Sequence, residues 1–100
     1  MPITIPDHRF IIQKHGKNEL IYFEASNQDL TDATYQYFGY ISATGAWIVQ
    51  RFHIIGSAIV YEYAAGQTRT DYDALWNGTT GIYEGALTFV TFDLIGNNLL

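Results

Sequence analysis

The stretch Thr34-Tyr35-Gln36-Tyr37-Phe38-Gly39-Tyr40-Ile41, then Ser42-Ala43-Thr44-Gly45, then Ala46-Trp47-Ile48-Val49-Gln50-Arg51-Phe52 decides the fold. Its first run is crowded with aromatic side chains that suit a pleated, half-buried surface. Its second run is short and apolar, and a glycine-bearing turn separates the two. The pattern predicts a β-hairpin, with Gly45 where the turn needs a positive φ. Side chains alternate across a strand, so Trp47 and Val49 share one face and Ile48 points to the other. Both faces are apolar, which predicts a sheet covered on both sides. After the Gly56-Ser57 break, Ala58-Ile59-Val60-Tyr61-Glu62-Tyr63 reads as a third strand and extends the hairpin into an antiparallel meander.

Working outward, residues 9–13 and 19–25 read as a further hairpin turning at His15-Gly16-Lys17-Asn18. The two prolines, Pro2 and Pro6, mark residues 1–7 as an extended arm or an edge strand, because proline donates no ladder hydrogen bond. The polar run 26–32 reads as the boundary between that N-terminal part and the main body. Beyond residue 70 the period changes. Tyr72, Leu75 and Trp76 stand at i, i+3 and i+4, which predicts a short helix near 71–77 with one apolar face. Thr70 or Asp71 is the expected N-cap, and Asn77-Gly78 the expected stop. Residues 86–95 read as a last strand. The expected fold class is mainly β, or β-rich α+β: an antiparallel sheet or sandwich of about five or six strands with one short helix. At 100 residues it forms a single domain.

Composition bears on function. Hydrophobic residues make up 48% of the chain, aromatic residues 16% and charged residues 15%. So small a domain cannot hide all of that apolar surface, so some of it is expected to meet another chain. Tyr and Trp are enriched at interface cores. Tyr35, Tyr37, Tyr40, Trp47, Tyr61 and Tyr63 are therefore the candidate contact residues, together with Leu99 and Leu100 at the C-terminal end. The net charge of −5 argues against a nucleic-acid partner, which needs a basic footprint. No apolar run is long enough to span a bilayer, and residues 1–30 show no basic-then-apolar leader pattern. Neither a membrane partner nor secretion by the signal route is expected.

The chemistry-bearing residues form no catalytic pattern. Cysteine is absent, which excludes thiol nucleophiles and thiolate metal sites. His8, His15 and His53 lack ligand spacing. Asp71-x-Asp73 lacks the glycine and the bidentate glutamate of a calcium loop, and helix capping accounts for the same acids. The serines have no nucleophile-elbow setting, and the glycines form no phosphate loop. The expectation is a non-enzyme without metal or cofactor. Because aromatic rings also stack on sugars, a carbohydrate-binding module is the alternative.

Residues 37–83 also carry a resemblance. Phe38-Gly39-Tyr40-Ile41, Gly45-Ala46-Trp47-Ile48-Val49-Gln50-Arg51, Tyr61-Glu62-Tyr63-Ala64-Ala65-Gly66 and Asp71-Tyr72-Asp73-Ala74-Leu75-Trp76-Asn77, followed by Tyr83, resemble small proteins encoded among the structural genes of tailed bacteriophages. Gly78 departs from the arginine usual after that asparagine. The resemblance covers about half of the chain and brings no catalytic residues. It implies a structural virion subunit of the tail, fibre-attachment or capsid-decoration type, forming homo-oligomers and contacting other virion proteins.

Overall fold

The computed structural model describes residues 9–13 and 20–91, with side chains described for residues 21–91. The arm at residues 1–7, His8, His15, the turn beside it, residues 92–95, Leu99 and Leu100 lie outside the described residues. Five strands, β1 (Arg9–Gln13), β2 (Leu20–Asp29), β3 (Tyr35–Ser42), β4 (Trp47–Ile55) and β5 (Ala58–Gly66), form one antiparallel sheet in the order β1-β2-β3-β4-β5. One short helix, α1 (Arg69–Asp73), follows. The described residues thus form the mainly β fold expected, as a single sheet.

The central hairpin turns where expected. Gly45 adopts φ 99°, its N–H donates to the Ser42 carbonyl at 3.2 Å, and the Ser42 N–H donates to the Ala46 carbonyl at 2.8 Å. Alternation then builds two cores. One face gathers Phe23, Phe38, Tyr40, Ala46, Ile48, Phe52 and Ala65, with Ile21, Leu30, Tyr63 and Val90 at its margins. The opposite face gathers Trp47 and Val49 with Tyr72, Leu75 and Trp76 of the helical region, flanked by Tyr37, Ile41, Tyr83, Leu87 and Phe89. Each face removes apolar area from water at about 25 cal/mol per Å², which makes this burial the main source of stability.

Three expectations need correction. The polar run 26–32 is no boundary: residues 26–29 belong to β2, and the register shifts between Ala25 and Asn27. The extra residue is a bulge, so hydrogen-bonding side chains there are re-aimed rather than left in a linker. The helix starts two residues early, at Arg69, with Thr68 as N-cap and no side-chain capping bond. Tyr72, Leu75 and Trp76 are nevertheless all buried, as their spacing requires. Asn77 instead anchors the turn after the helix, its Oδ1 accepting from the N–H groups of Thr79 and Thr80 at 2.8 and 2.9 Å. Residues 86–91 are not a regular strand, and a single bridge joins Val90 to Tyr63.

Gly39 lets the helical region dock. A β-carbon there would collide with the Tyr72 hydroxyl and stand 2.6 Å from the Trp76 ring. In an open strand, alanine is the better residue by about 0.5–1 kcal/mol. Here overpacking dominates, so Gly39→Ala is expected to destabilise by about 1–3 kcal/mol. A lowered urea midpoint with a weakened near-ultraviolet circular dichroism signal checks this, and an unchanged midpoint contradicts it.

Burial pushes the Tyr40 and Tyr72 hydroxyls up to about 12. Unfolding returns them to about 10, so in that interval the folded state holds protons the unfolded state has released. Their contribution is complete below pH 10 and is lost as pH rises through 12. Stability should therefore fall steeply between about pH 10 and 12. Tyr40→Phe and Tyr72→Phe together should flatten that fall, as followed by thermal unfolding at a series of pH values.

Candidate functional site

The polar groups of the described residues are largely spent on the fold. Arg51 lies between two rings, with its guanidinium carbon 4.5 Å from the Tyr35 centroid and 4.2 Å from the Phe89 centroid. Its Nε donates to Glu62 Oε1 at 2.8 Å. Burial alone would lower its pKa, but Glu62 and then Tyr37 outweigh that and hold the charge firmly. The arrangement joins β3, β4, β5 and the 83–91 segment through cation–π and ionic contacts. Gln50 is buried between Tyr40 and Tyr63, accepting from the Tyr40 hydroxyl at 3.3 Å and donating to the Tyr63 hydroxyl at 3.0 Å.

Asp29 is only 7% exposed. Its carboxylate accepts from the Thr31 hydroxyl at 2.6 Å, the Thr31 N–H at 2.9 Å and the Tyr83 N–H at 2.9 Å. Burial would raise its pKa, yet these bonds together hold it below the ordinary carboxylate value. His53 rests on the Tyr35 ring, 4.6 Å between centroids, and points Nδ1 at Glu62 from 3.9 Å. Among the described residues, no three His, Asp or Glu side chains converge on a metal-sized site. A shallow groove of about 390 Å³ lies along Tyr22, Glu24, Ser26 and Ile41.

The candidate contact residues separate sharply. Tyr40 and Trp47 are 1% and 3% exposed, so they belong to this chain's own core and cannot face a partner. The Trp47 indole N–H donates to the Thr68 carbonyl at 2.9 Å, which ties the strand to the helix entry. Tyr35, Tyr37 and Tyr63 are half-buried, and Tyr37 stacks on Tyr83 at 4.1 Å. Only Tyr61, 52% exposed, is turned outward among those six.

Tyr61 stands in a larger apolar patch. Ile55, Ile59 and Val60 are 53%, 42% and 44% exposed. The cause is topological. β3 begins at Tyr35, opposite His53, so the β4–β5 hairpin runs past the end of its neighbour. Its last paired residues, Ile54 with Ile59 and Ile55 with Ala58, form a two-stranded ribbon around the Gly56-Ser57 turn. The Ile54 N–H still donates to the Thr34 carbonyl at 2.8 Å, and beyond it no described strand flanks the ribbon. Residues 54–61 read Ile-Ile-Gly-Ser-Ala-Ile-Val-Tyr and carry no formal charge. In the sequence this charge-free run is the feature that marks Ile55, Ile59 and Val60, which aromatic content does not mark.

β5 is also an edge strand. The Tyr63 N–H donates to the Val90 carbonyl at 2.7 Å, and the Val90 N–H donates back at 2.8 Å. Toward the hairpin tip, no described residue pairs with the outer edge of β5 at residues 58–61. Exposed apolar edges of this kind are templates for another strand, and soluble proteins usually guard them with charge or proline. The patch therefore combines uncovered apolar side chains with a strand edge that no described residue pairs.

Because these side chains are about half exposed, Ile55→Ser with Val60→Ser should lower the unfolding free energy by only about 1–2 kcal/mol. The pair should reduce binding of a hydrophobic dye to the native protein. A large loss of stability would mean that the hairpin end is part of the core.

Comparison with protein-family models, curated protein sequences and solved structures returns no match.

Proposed function

We propose that this chain is a structural, non-catalytic subunit of a tailed-bacteriophage virion, associated with the tail or fibres or decorating the capsid, and acting by assembly with other chains. The uncharged, uncovered end of the β4–β5 hairpin carries the assembly part of the reading, because an apolar edge of this kind gains most from a protein partner. The virion part is supported by the resemblance of residues 37–83, whose shared pattern consists of strand, turn and helix residues. A non-catalytic role draws support from the way Arg51, Glu62, Gln50 and Asp29 are engaged with partners inside the fold. A glycan-binding role draws less support. Its rings would have to be exposed side by side, whereas the exposed Tyr22 and Tyr61 stand on β2 and β5 with two strands between them.

A mass-spectrometric census of purified particles of the encoding phage tests the proposal. The chain is expected at a fixed copy number per particle, hundreds for capsid decoration and far fewer for a tail part. Absence from washed, infectious particles would refute the virion role.

A further inference from the structure

We infer that Asn77-Gly78 is this chain's site of spontaneous deamidation, and that the turn after the helix holds it shut in the folded protein. Of Asn18, Asn27, Asn77, Asn97 and Asn98, only Asn77 precedes a glycine. The reaction needs that neighbour. Solvent hydroxide takes the proton of the Gly78 main-chain N–H, and the nitrogen attacks Asn77 Cγ. The bond from Cγ to Nδ2 then breaks, ammonia leaves with a proton from water, and a succinimide ring remains. One water molecule opens the ring, giving aspartate by attack at the side-chain carbonyl or isoaspartate by attack at the main-chain carbonyl. A side chain at residue 78 would crowd the closing ring, and glycine has none. Gly78 is exposed, and no described atom beyond its chain neighbours lies within 4 Å of where a β-carbon would sit.

The fold opposes the first step. Ring closure requires Asn77 Cγ to turn onto the nitrogen of the next residue, whereas its amide is committed further along the chain. Oδ1 accepts from the N–H groups of Thr79 and Thr80 at 2.8 and 2.9 Å, and Nδ2 donates to Glu84 Oε2 at 3.4 Å. The side chain thus closes an Asx turn, which fixes it against the main chain. The main chain of the same residue is held as well. The Asn77 N–H donates to the Ile82 carbonyl, and the Gly81 N–H donates to the Asn77 carbonyl, each at 2.8 Å. Trp76 bridges to Tyr83, and the Glu84 N–H donates to the Leu75 carbonyl at 2.7 Å, so the turn is seated on the packed half of the molecule. Gly81 closes it with φ 75°. Cyclisation therefore waits for the turn to open. In either product a carboxylate replaces the amide that faces Glu84, and isoaspartate also lengthens the main chain by one methylene next to Trp76. The modification marks chains whose turn has opened, whatever partner the protein has.

The test incubates the whole chain in mildly alkaline buffer made with heavy-oxygen water. Peptide mass spectrometry follows Asn77 conversion and the one labelled oxygen atom that it incorporates. In guanidinium chloride, Asn77 is expected to convert before the other asparagines. In native buffer its rate should be lower by about tenfold or more, because the bonds of the turn must open together. A β-branched residue is strained at positive φ, whereas asparagine tolerates it. Gly81→Val should therefore raise the native rate toward the unfolded one with the circular dichroism of the sheet retained, and Gly81→Asn should keep the parent's rate. Gly78→Ala should slow conversion of the unfolded chain, as expected if the nitrogen of residue 78 attacks. A native chain that converts as fast as the unfolded one overturns the inference. So does a folded Gly81→Val chain with the parent's rate, or an unfolded chain in which another asparagine converts first. The comparison of native with unfolded parent decides the matter even where Gly81→Val does not fold.

Discussion

The arrangement of the chain beyond the sheet depends on one irregularity in β2. Before the bulge, Tyr22 and Glu24 point to the helix-bearing face, and without it Asn27 and Asp29 would point away from that face. The extra residue reverses the alternation. Asn27 then accepts from the Tyr72 hydroxyl at 2.7 Å, and Asp29 accepts from the Tyr83 N–H at 2.9 Å. These two bonds hold the helix and the chain after it against the sheet at separate points. Both involve part-buried groups, where an unmade bond costs about 1–3 kcal/mol.

Around those two points the packing is dense. Tyr72 and Trp76 reach over Gly39, Trp47 lies against Gly66, and Tyr83 and Phe89 lie beside Tyr37. The Trp76 indole N–H is buried without a partner among the described residues, a cost that the surrounding aromatic contacts offset. The apolar side chains of this half of the molecule are covered by its own residues. The far end of the β4–β5 hairpin is not. It extends beyond β3, past the reach of the helix, and the same strand that is sealed at Ala64 and Ala65 is open at Ile59 and Val60.

The contrast explains why the assembly reading centres on the hairpin end and not on the tyrosine-rich strand. Aromatic content alone pointed to residues 34–52, because an interface core and a domain core use the same side chains. Tyr40 and Trp47 are consumed internally, and the partly exposed Tyr35 and Tyr37 are held by Arg51 and Tyr83. What is left uncovered at the hairpin end is aliphatic apart from Tyr61, while Tyr22 stands exposed on β2.

Local pattern determined a good deal by itself. The alternation of Trp47, Ile48 and Val49, the turn at Gly45 and the 72–75–76 spacing established the strands, their two-sided burial and the inward face of the helical region. Each depends on the geometry of adjacent residues. Tertiary structure alone decided three other things. The β2 bulge is visible only against the register of β3. The helix boundary moved because Thr68 and Arg69 lie where Trp47 reaches across 21 residues to bind the Thr68 carbonyl. The exposure of Ile55, Ile59 and Val60 follows from where β3 begins relative to β4, and an apolar run reads the same in sequence whether a neighbouring strand covers it or not.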